Sequence, residues 1–230
     1  LGLGGLIYNE NKTGKNIKVV TVTNGDGFTK ALKAIKNTGD IKPNDYIRLG
    51  LLRQQETINA VQKLGSSPED VVFLGYADGS LSSLWAENWD YEKPFFGLTG
   101  NTTTPYANSF NPKAVYCGKS LMADLKSIIE DFSPTDIFYP DANDRHRDHW
   151  ALSCFVKYTI ELYGYNVNEY SYLVHYPQWP KPLALMPFAG LYPPEALEGF
   201  GILWHKCPLS SKVILTKFLS LRKYKTQLRL

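Results

Sequence analysis

The sequence predicts an α/β domain built on a mainly parallel sheet flanked by helices. Short β-branched or aromatic runs alternate with stretches of helical periodicity, and the runs end in polar turns. The 230 residues are 43% hydrophobic and 20% charged, enough for one sizeable core. The same figures exclude a collagen, a coiled coil and a disordered tail.

The elements follow in order. Residues 17–23 are rich in Val, Ile and Thr and run into Asn24-Gly25-Asp26-Gly27, which reads as a strand entering a turn. Residues 43–64 carry Ile47, Leu51, Leu52, Ile58, Val61 and Leu64 at helical spacing, and Gly65 stops the helix. Residues 71–76 form a short buried strand ending at Ala77-Asp78-Gly79. Residues 88–116 are aromatic, rich in Asn, Thr and Pro, and aperiodic; they read as a long surface excursion from a compact domain. A helix over 119–131, a strand over 136–140, a helix over 150–163 and a strand over 169–175 complete the alternation. Pro177, Pro180, Pro182, Pro187, Pro193 and Pro194 then impose a meandering loop, and a last helix starts near Ser211.

Charge narrows the partners. The net charge is +3, but seven bases and no acid follow Glu198, so the rest of the chain is mildly acidic. A nucleic-acid binder usually carries a basic face through its fold, and none is visible here. The basic C-terminal helix reads as a solvated face; contact with an anionic membrane or nucleic acid is the other reading. No run approaches the ~18 apolar residues of a membrane span. Cys117, Cys154 and Cys207 are far apart, which argues against a disulfide framework while leaving one bridge open. The chain opens Leu1-Gly2-Leu3-Gly4-Gly5-Leu6-Ile7, without Met, inside what reads as an ordered element. An upstream piece, with any leader or anchor, is therefore expected to be missing, and cytoplasmic and anchored extracytoplasmic locations both stay open. Gly2, Gly4 and Gly5 invite a dinucleotide loop, but Ile7 stands where the last glycine should be and no strand precedes them.

Ligands of parallel sheets bind at the carboxyl ends of the strands, and the polar residues gather there. The densest segment is 140–149, with Asp141, Asp144, Arg145, His146, Arg147, Asp148 and His149 between a strand and a helix. Imidazole and carboxylate are the usual zinc ligands where thiolates are lacking. A His-x-x-His pair at a helix start can place one ring on a metal and the other beside substrate, with the intervening Asp148 tuning a ring. Two His do not complete a catalytic zinc site, and His175 and His205 lie in other loops.

The chain resembles the PIG-L/LmbE-like family of zinc-dependent N-deacetylases over nearly its whole length. The pieces that carry the resemblance are the opening Leu1–Ile7, Val19-Val20-Thr21-Val22-Thr23-Asn24-Gly25-Asp26, Arg53-Gln54-Gln55-Glu56 in a helix ending at Leu64-Gly65, Leu74-Gly75-Tyr76-Ala77-Asp78-Gly79, and Asp144-x-His146-x-Asp148-His149. It implies one Rossmann-like deacetylase domain over 1–230, N-terminally truncated and lacking its first strand. It further implies a hydrolase that takes the acetyl group from an N-acetylglucosamine-type sugar or glycoconjugate, using Zn2+. His149 would be a metal ligand. His146 would meet the oxyanion or protonate the leaving amine, and Asp148 would tune it. Arg53, Asp78 and His175 would line the substrate site; for Arg53 and Glu56 a helix-surface ion pair is the plain alternative. The family's His-Pro-Asp-Asp motif, which would supply two ligands and the general base, is absent and should lie just before Leu1, so this chain alone is expected to be inactive. Arg147 stands where the family commonly has Pro. A non-catalytic carbohydrate-binding module is the competing reading, with Trp85, Trp89, Tyr91, Phe95, Phe96 and Tyr106 available to stack on sugar rings or to pin the excursion to the core.

Overall fold

The computed structural model describes residues 2–36, 39–184 and 186–228. Leu1 and Arg229, at the ends of the opening motif and the basic tail, lie outside the described residues. The elements are α1 (Gly4–Lys12), β1 (Val19–Thr23), α2 (Thr29–Lys36), α3 (Pro43–Lys63), β2 (Val71–Tyr76), α4 (Leu81–Ala86), α5 (Gly118–Phe132), β3 (Asp136–Pro140), α6 (Arg147–Tyr163), β4 (Asn168–Tyr172), α7 (Ser211–Leu221) and α8 (Lys225–Leu228). The α/β alternation read from sequence is there, with α1, α2, α4 and α8 added to it. The last strand stops at Tyr172, so His175 falls in a loop, and α6 starts at Arg147 rather than Trp150.

The sheet differs from a single parallel one. β1 pairs with β2 in parallel, Val19 opposite Val71 and Thr21 opposite Phe73, with an irregularity before Thr23 meets Tyr76. β3 pairs with β4 in parallel, from Asp136 opposite Asn168 to Pro140 opposite Tyr172. Each pair is a two-stranded sheet. A cavity of about 1070 Å³ lies between them, lined by β1 from Val19 to Thr23, β3 from Asp136 to Pro140, and side chains of α1, α5 and α6. The edges of β1 and β3 thus face a common slot.

One core supports both pairs. Leu74, Tyr76, Leu121, Leu125, Phe155 and Ile160 are buried together across β2, α5 and α6. The helix ends have local causes. Pro43 opens α3 at a position whose N–H needs no helical partner, and Asp45 accepts from the Lys42 amide at 2.8 Å. Gly164 closes α6 in the left-handed region at φ 65°.

The excursion after α4 is pinned to this core. Trp85 and Trp89 pack on Phe155, and Tyr106 and Tyr116 are buried. Gly75, at φ 76°, leaves room for Thr104, which an added Cβ would strike. Of the aromatics considered for sugar stacking, Tyr91 and Phe96 are the exposed ones. Cys117, Cys154 and Cys207 are free. Among the described residues no helix is long and apolar enough to cross a membrane.

The C-terminal helices close one side through α3. Glu56, buried at 4% exposure, accepts from the Thr226 amide at 2.9 Å and the Thr226 hydroxyl at 2.7 Å. Ser220 donates to the Ala60 carbonyl at 2.8 Å on the same face. Arg53 and Glu56 are thus buried residues with separate partners, and the helix-surface ion pair is not formed among the described residues. Glu56→Ala leaves two donors unsatisfied and is expected to lower unfolding free energy by about 2 kcal/mol in urea titrations. A loss under roughly 0.5 kcal/mol would mean that α8 adds nothing to the fold.

Candidate metal centre

The turn after β3 is tied down from two sides. The Asp141 amide donates to the Tyr172 carbonyl at 2.8 Å, and the Arg145 amide to the His175 carbonyl at 2.8 Å. These bonds draw the chain after β4 against the turn that starts α6. Asp144 sits between them at 2% exposure. Its Oδ1 accepts from the His146 amide at 2.9 Å, and its Oδ2 from the amides of Val174 at 3.0 Å and His175 at 2.9 Å. Burial alone would raise the Asp144 pKa; the three amides and the His149 ring outweigh it and hold the carboxyl below its usual range.

Three side chains converge. His149 Nδ1 lies 3.1 Å from Asp144 Oδ2, and His175 Nδ1 lies 3.5 Å from Asp144 Oδ1. One potential ligand atom from each of Asp144, His149 and His175 falls within 4.8 Å of the others. His149 Nδ1 is buried, yet it makes no hydrogen bond despite its carboxylate neighbour. Burial lowers the His149 pKa, with Asp144 opposing, which favours the neutral ring a metal needs. A buried, unpartnered imidazole nitrogen beside an ionised carboxylate and a second imidazole fits a divalent metal ion.

The remaining sequence candidates stand around this group. His146, at the N-cap of α6, has its ring 4.7 Å from that of His149 and 5.4 Å from that of His175. Asp148 spends its carboxylate elsewhere: Oδ2 accepts from the Gly79 amide at 2.8 Å and Oδ1 from the Leu81 amide at 3.0 Å. It therefore clasps the turn after β2 to the first turn of α6. Burial pushes its pKa up; the nearby His146 acts the other way.

Arg53 and Asp78 line the same cavity as His146 and His149. Arg53 donates to the Gly25 carbonyl at 2.5 Å and lies over the Phe28 ring, while its Nε and Nη2 are buried without partners. Asn24 has both amide atoms buried and unpartnered beside it. Asp78 is half-buried, and burial raises its pKa against the pull of Arg53 and His146. Asp26 anchors this wall, accepting from the Tyr106 hydroxyl at 2.6 Å and the Asp78 amide at 3.2 Å.

Sequence reading placed His149 on the metal and His175 among substrate contacts; the fold groups both with Asp144. Asp144 was visible as the first acid of its motif, but the amides that orient it come from the far side of β4. His205 goes elsewhere, edge-on to Tyr170 at 5.5 Å.

A parallel α/β fold with a carboxylate and two imidazoles converging beyond the carboxyl ends of β3 and β4 defines a site able to hold a metal. The chain belongs to the PIG-L family: the family described as GlcNAc-PI de-N-acetylase matches residues 1–160. That family is one of metal-dependent deacetylase-type hydrolases. No curated protein and no solved structure matches the chain.

Proposed function

We propose that this chain is the body of a zinc-dependent N-deacetylase that removes the acetyl group from an N-acetylglucosamine-type sugar or glycoconjugate. The observation that carries the reading is the Asp144, His149 and His175 group with its orphaned His149 nitrogen, His149 lining a cavity that Arg53 and Asp78 also line. Zinc held there supplies Lewis acidity toward an amide carbonyl and a water. Asp144 keeps its charge through three backbone amides and stands 3.1 Å and 3.5 Å from the His149 and His175 rings. His146, exposed beside them, would hydrogen-bond the developing oxyanion or donate a proton to the departing amine. Arg53 and Asp78 hold sugar hydroxyls or a phosphate from the opposite wall. Asp148 keeps the two walls in register through Gly79 and Leu81.

The general base and any further ligands come, in this reading, from a strand that precedes Leu1 and fills the slot between β1 and β3. Three features support it. Both slot-facing edges belong to parallel strands. Gly2 lies at the carboxyl end of β4, where an added Cβ would be 3.2 Å from the Tyr172 ring. A strand entering α1 from that end would run parallel to its neighbours, as a strand–helix–strand unit requires. The buried, unpaired polar atoms of Arg53 and Asn24 would then face an acidic strand end.

The test is the zinc content of a form extended upstream by one strand, compared with residues 1–230 and with the extended His149→Ala variant. One zinc per chain in the extended form, lost in the variant, together with acetate release from N-acetyl sugars, is expected. Residues 1–230 are expected to release no acetate. An extended form that binds no metal would overturn the hydrolase reading and leave a binding scaffold.

A further inference from the structure

The basic C-terminal segment does not stand alone in the fold. From Gly199 to Leu228 there is no acidic side chain, and α2 has none either. The two segments are far apart in the chain, yet they meet: α8 lies against α2. Both rest on α3. The buried Glu56 carboxylate fixes α8 through the Thr226 amide and hydroxyl, and Ser220 ties the end of α7 to the Ala60 carbonyl. Ala31 and Leu32 are the buried residues of α2, which turns Lys30 and Lys33 outward together.

The charge of this face has one sign. Lys30 and Lys33 on α2, with Arg222, Lys223 and Lys225 around the start of α8, are exposed and have no ion-pair partner among the described residues. Lys36 and Lys217 do not count toward it, being taken up by Asp45 at 2.7 Å and by the Gly2 carbonyl at 3.2 Å. Asp40, exposed in the turn after α2, has exposed Lys42 two positions on. Aliphatic side chains stand among the free bases: Ile35, Leu221 and Leu228 are 51%, 36% and 58% exposed.

We propose that this composite face, α2 together with residues 221–228, attaches to the surface of a bilayer bearing anionic headgroups. Charge complementarity selects an anionic partner: unpaired bases from two segments share one side of the molecule with no acid on either segment. Each base near such a surface strengthens attachment in a salt-sensitive way. Bases alone would serve a nucleic acid equally well. The aliphatic side chains decide for lipid, because they gain by entering the boundary between headgroups and acyl chains, whereas a phosphate backbone offers them nothing. Single-stranded nucleic acid would want free aromatic rings to stack on, and the ring on this side, Phe28, has the Arg53 guanidinium over it at 5.3 Å. Arg222 and Leu228 also line the cavity that holds Arg53 and His149, so attachment brings the rim of that cavity to the lipid.

The test is co-sedimentation of residues 1–230 with vesicles of phosphatidylcholine alone and with about 30 mol% phosphatidylserine, beside a titration with duplex DNA of about 20 base pairs. Binding to the anionic vesicles at least about tenfold tighter than to the neutral ones is expected at about 0.1 M salt, and it should weaken as salt rises. Lys30→Glu/Lys33→Glu and Lys223→Glu/Lys225→Glu, all at exposed positions, should each weaken it about tenfold or more while circular dichroism stays unchanged. Where a reversed charge disturbs a helix, the corresponding Lys→Gln pairs should still weaken binding, by less. Ile35→Ser/Leu228→Ser should weaken anionic binding about threefold or more and leave its salt dependence as it was. Equal binding to the two vesicles, no binding to either, or a Lys30/Lys33 pair that changes nothing would overturn the proposal. So would an apolar pair that changes nothing, or DNA binding at least as tight as vesicle binding. None of these readouts depends on metal or on deacetylation, so failure here and failure of the hydrolase reading are separable.

Discussion

Asp144→Ala is expected to lose the metal and about 3–5 kcal/mol of folding stability together, whereas His149→Ala loses the metal with a cost of about 1 kcal/mol or less. The difference lies in what each side chain does without an ion. Asp144 is buried and accepts from the amides of His146, Val174 and His175. Alanine leaves three donors facing a small void, each a desolvated group that costs roughly 1–3 kcal/mol unless water enters. It also releases the chain after β4 from the turn before α6, and with it His175. His149 makes no hydrogen bond with its buried nitrogen, so its removal strands nothing. Asp144→Asn separates the two roles further: one oxygen still accepts, but an NH2 group now faces backbone donors. Zinc content and urea unfolding in the presence of chelator read the two effects independently. Equal stability of Asp144→Ala and His149→Ala would mean that the carboxylate serves the metal alone.

That prediction shows which parts of the site the sequence made legible. The spacing of His146 and His149 places both rings at one helix start, a local relation that any reading of residues 140–149 recovers. Asp144 and His175 are 31 residues apart, and their meeting depends on β4 pairing in register with β3 and on the Arg145 bond to the His175 carbonyl. The elements divide the same way. β1, β2 and β3 follow from β-branched and aromatic runs bounded by turns, and α3, α5 and α6 from long apolar periodicity. α1 contains two glycines and two asparagines in nine residues, poor helix material that forms because Gly5 allows close packing against Leu209 and the helix contacts α7. α2 and α4 are eight and six residues long, too short to be stable alone. α4 is also capped from afar, by Asp148 on the Leu81 amide, a contact with no local signature. The division of the sheet into two pairs was equally hidden, because a strand's neighbours are not written in its own residues.

The second large effect concerns pH. Asp26 is 2% exposed, and its pKa is pushed up to about 6 from 3.8, chiefly by burial, with Asp78 adding repulsion and the Tyr106 hydroxyl opposing. A carboxyl whose folded pKa lies above its unfolded one binds more protons in the folded state. Its contribution to stability is therefore full below the unfolded pKa and is lost as pH rises through the folded one. For metal-free protein, unfolding free energy is expected to fall as pH climbs from about 4 to about 6 and then to level off, with Asp26 accounting for up to about 3 kcal/mol. Burial raises Asp78, Asp124 and Asp148 as well, so they add slope of the same sign. Asp144 is shifted down, and its loss begins only as pH falls below its unfolded value, on the acid side of this window, whereas His149, shifted down by burial, opposes the decline as pH climbs towards the unfolded imidazole value. Asp26→Asn should flatten the slope without abolishing it. Tyr106→Phe should do the opposite, since the hydroxyl is the main group favouring ionised Asp26, and removing it extends the decline to higher pH. Urea titrations at pH 4, 5, 6 and 7 in chelator distinguish the cases, and a slope left unchanged by Asp26→Asn would show that Asp26 is ionised in the folded protein at no cost. The consequence for the site is direct: Asp26 holds the Asp78 amide and, through Tyr106, the excursion, so the wall opposite the metal centre is held by a carboxyl whose charge strains the fold at neutral pH.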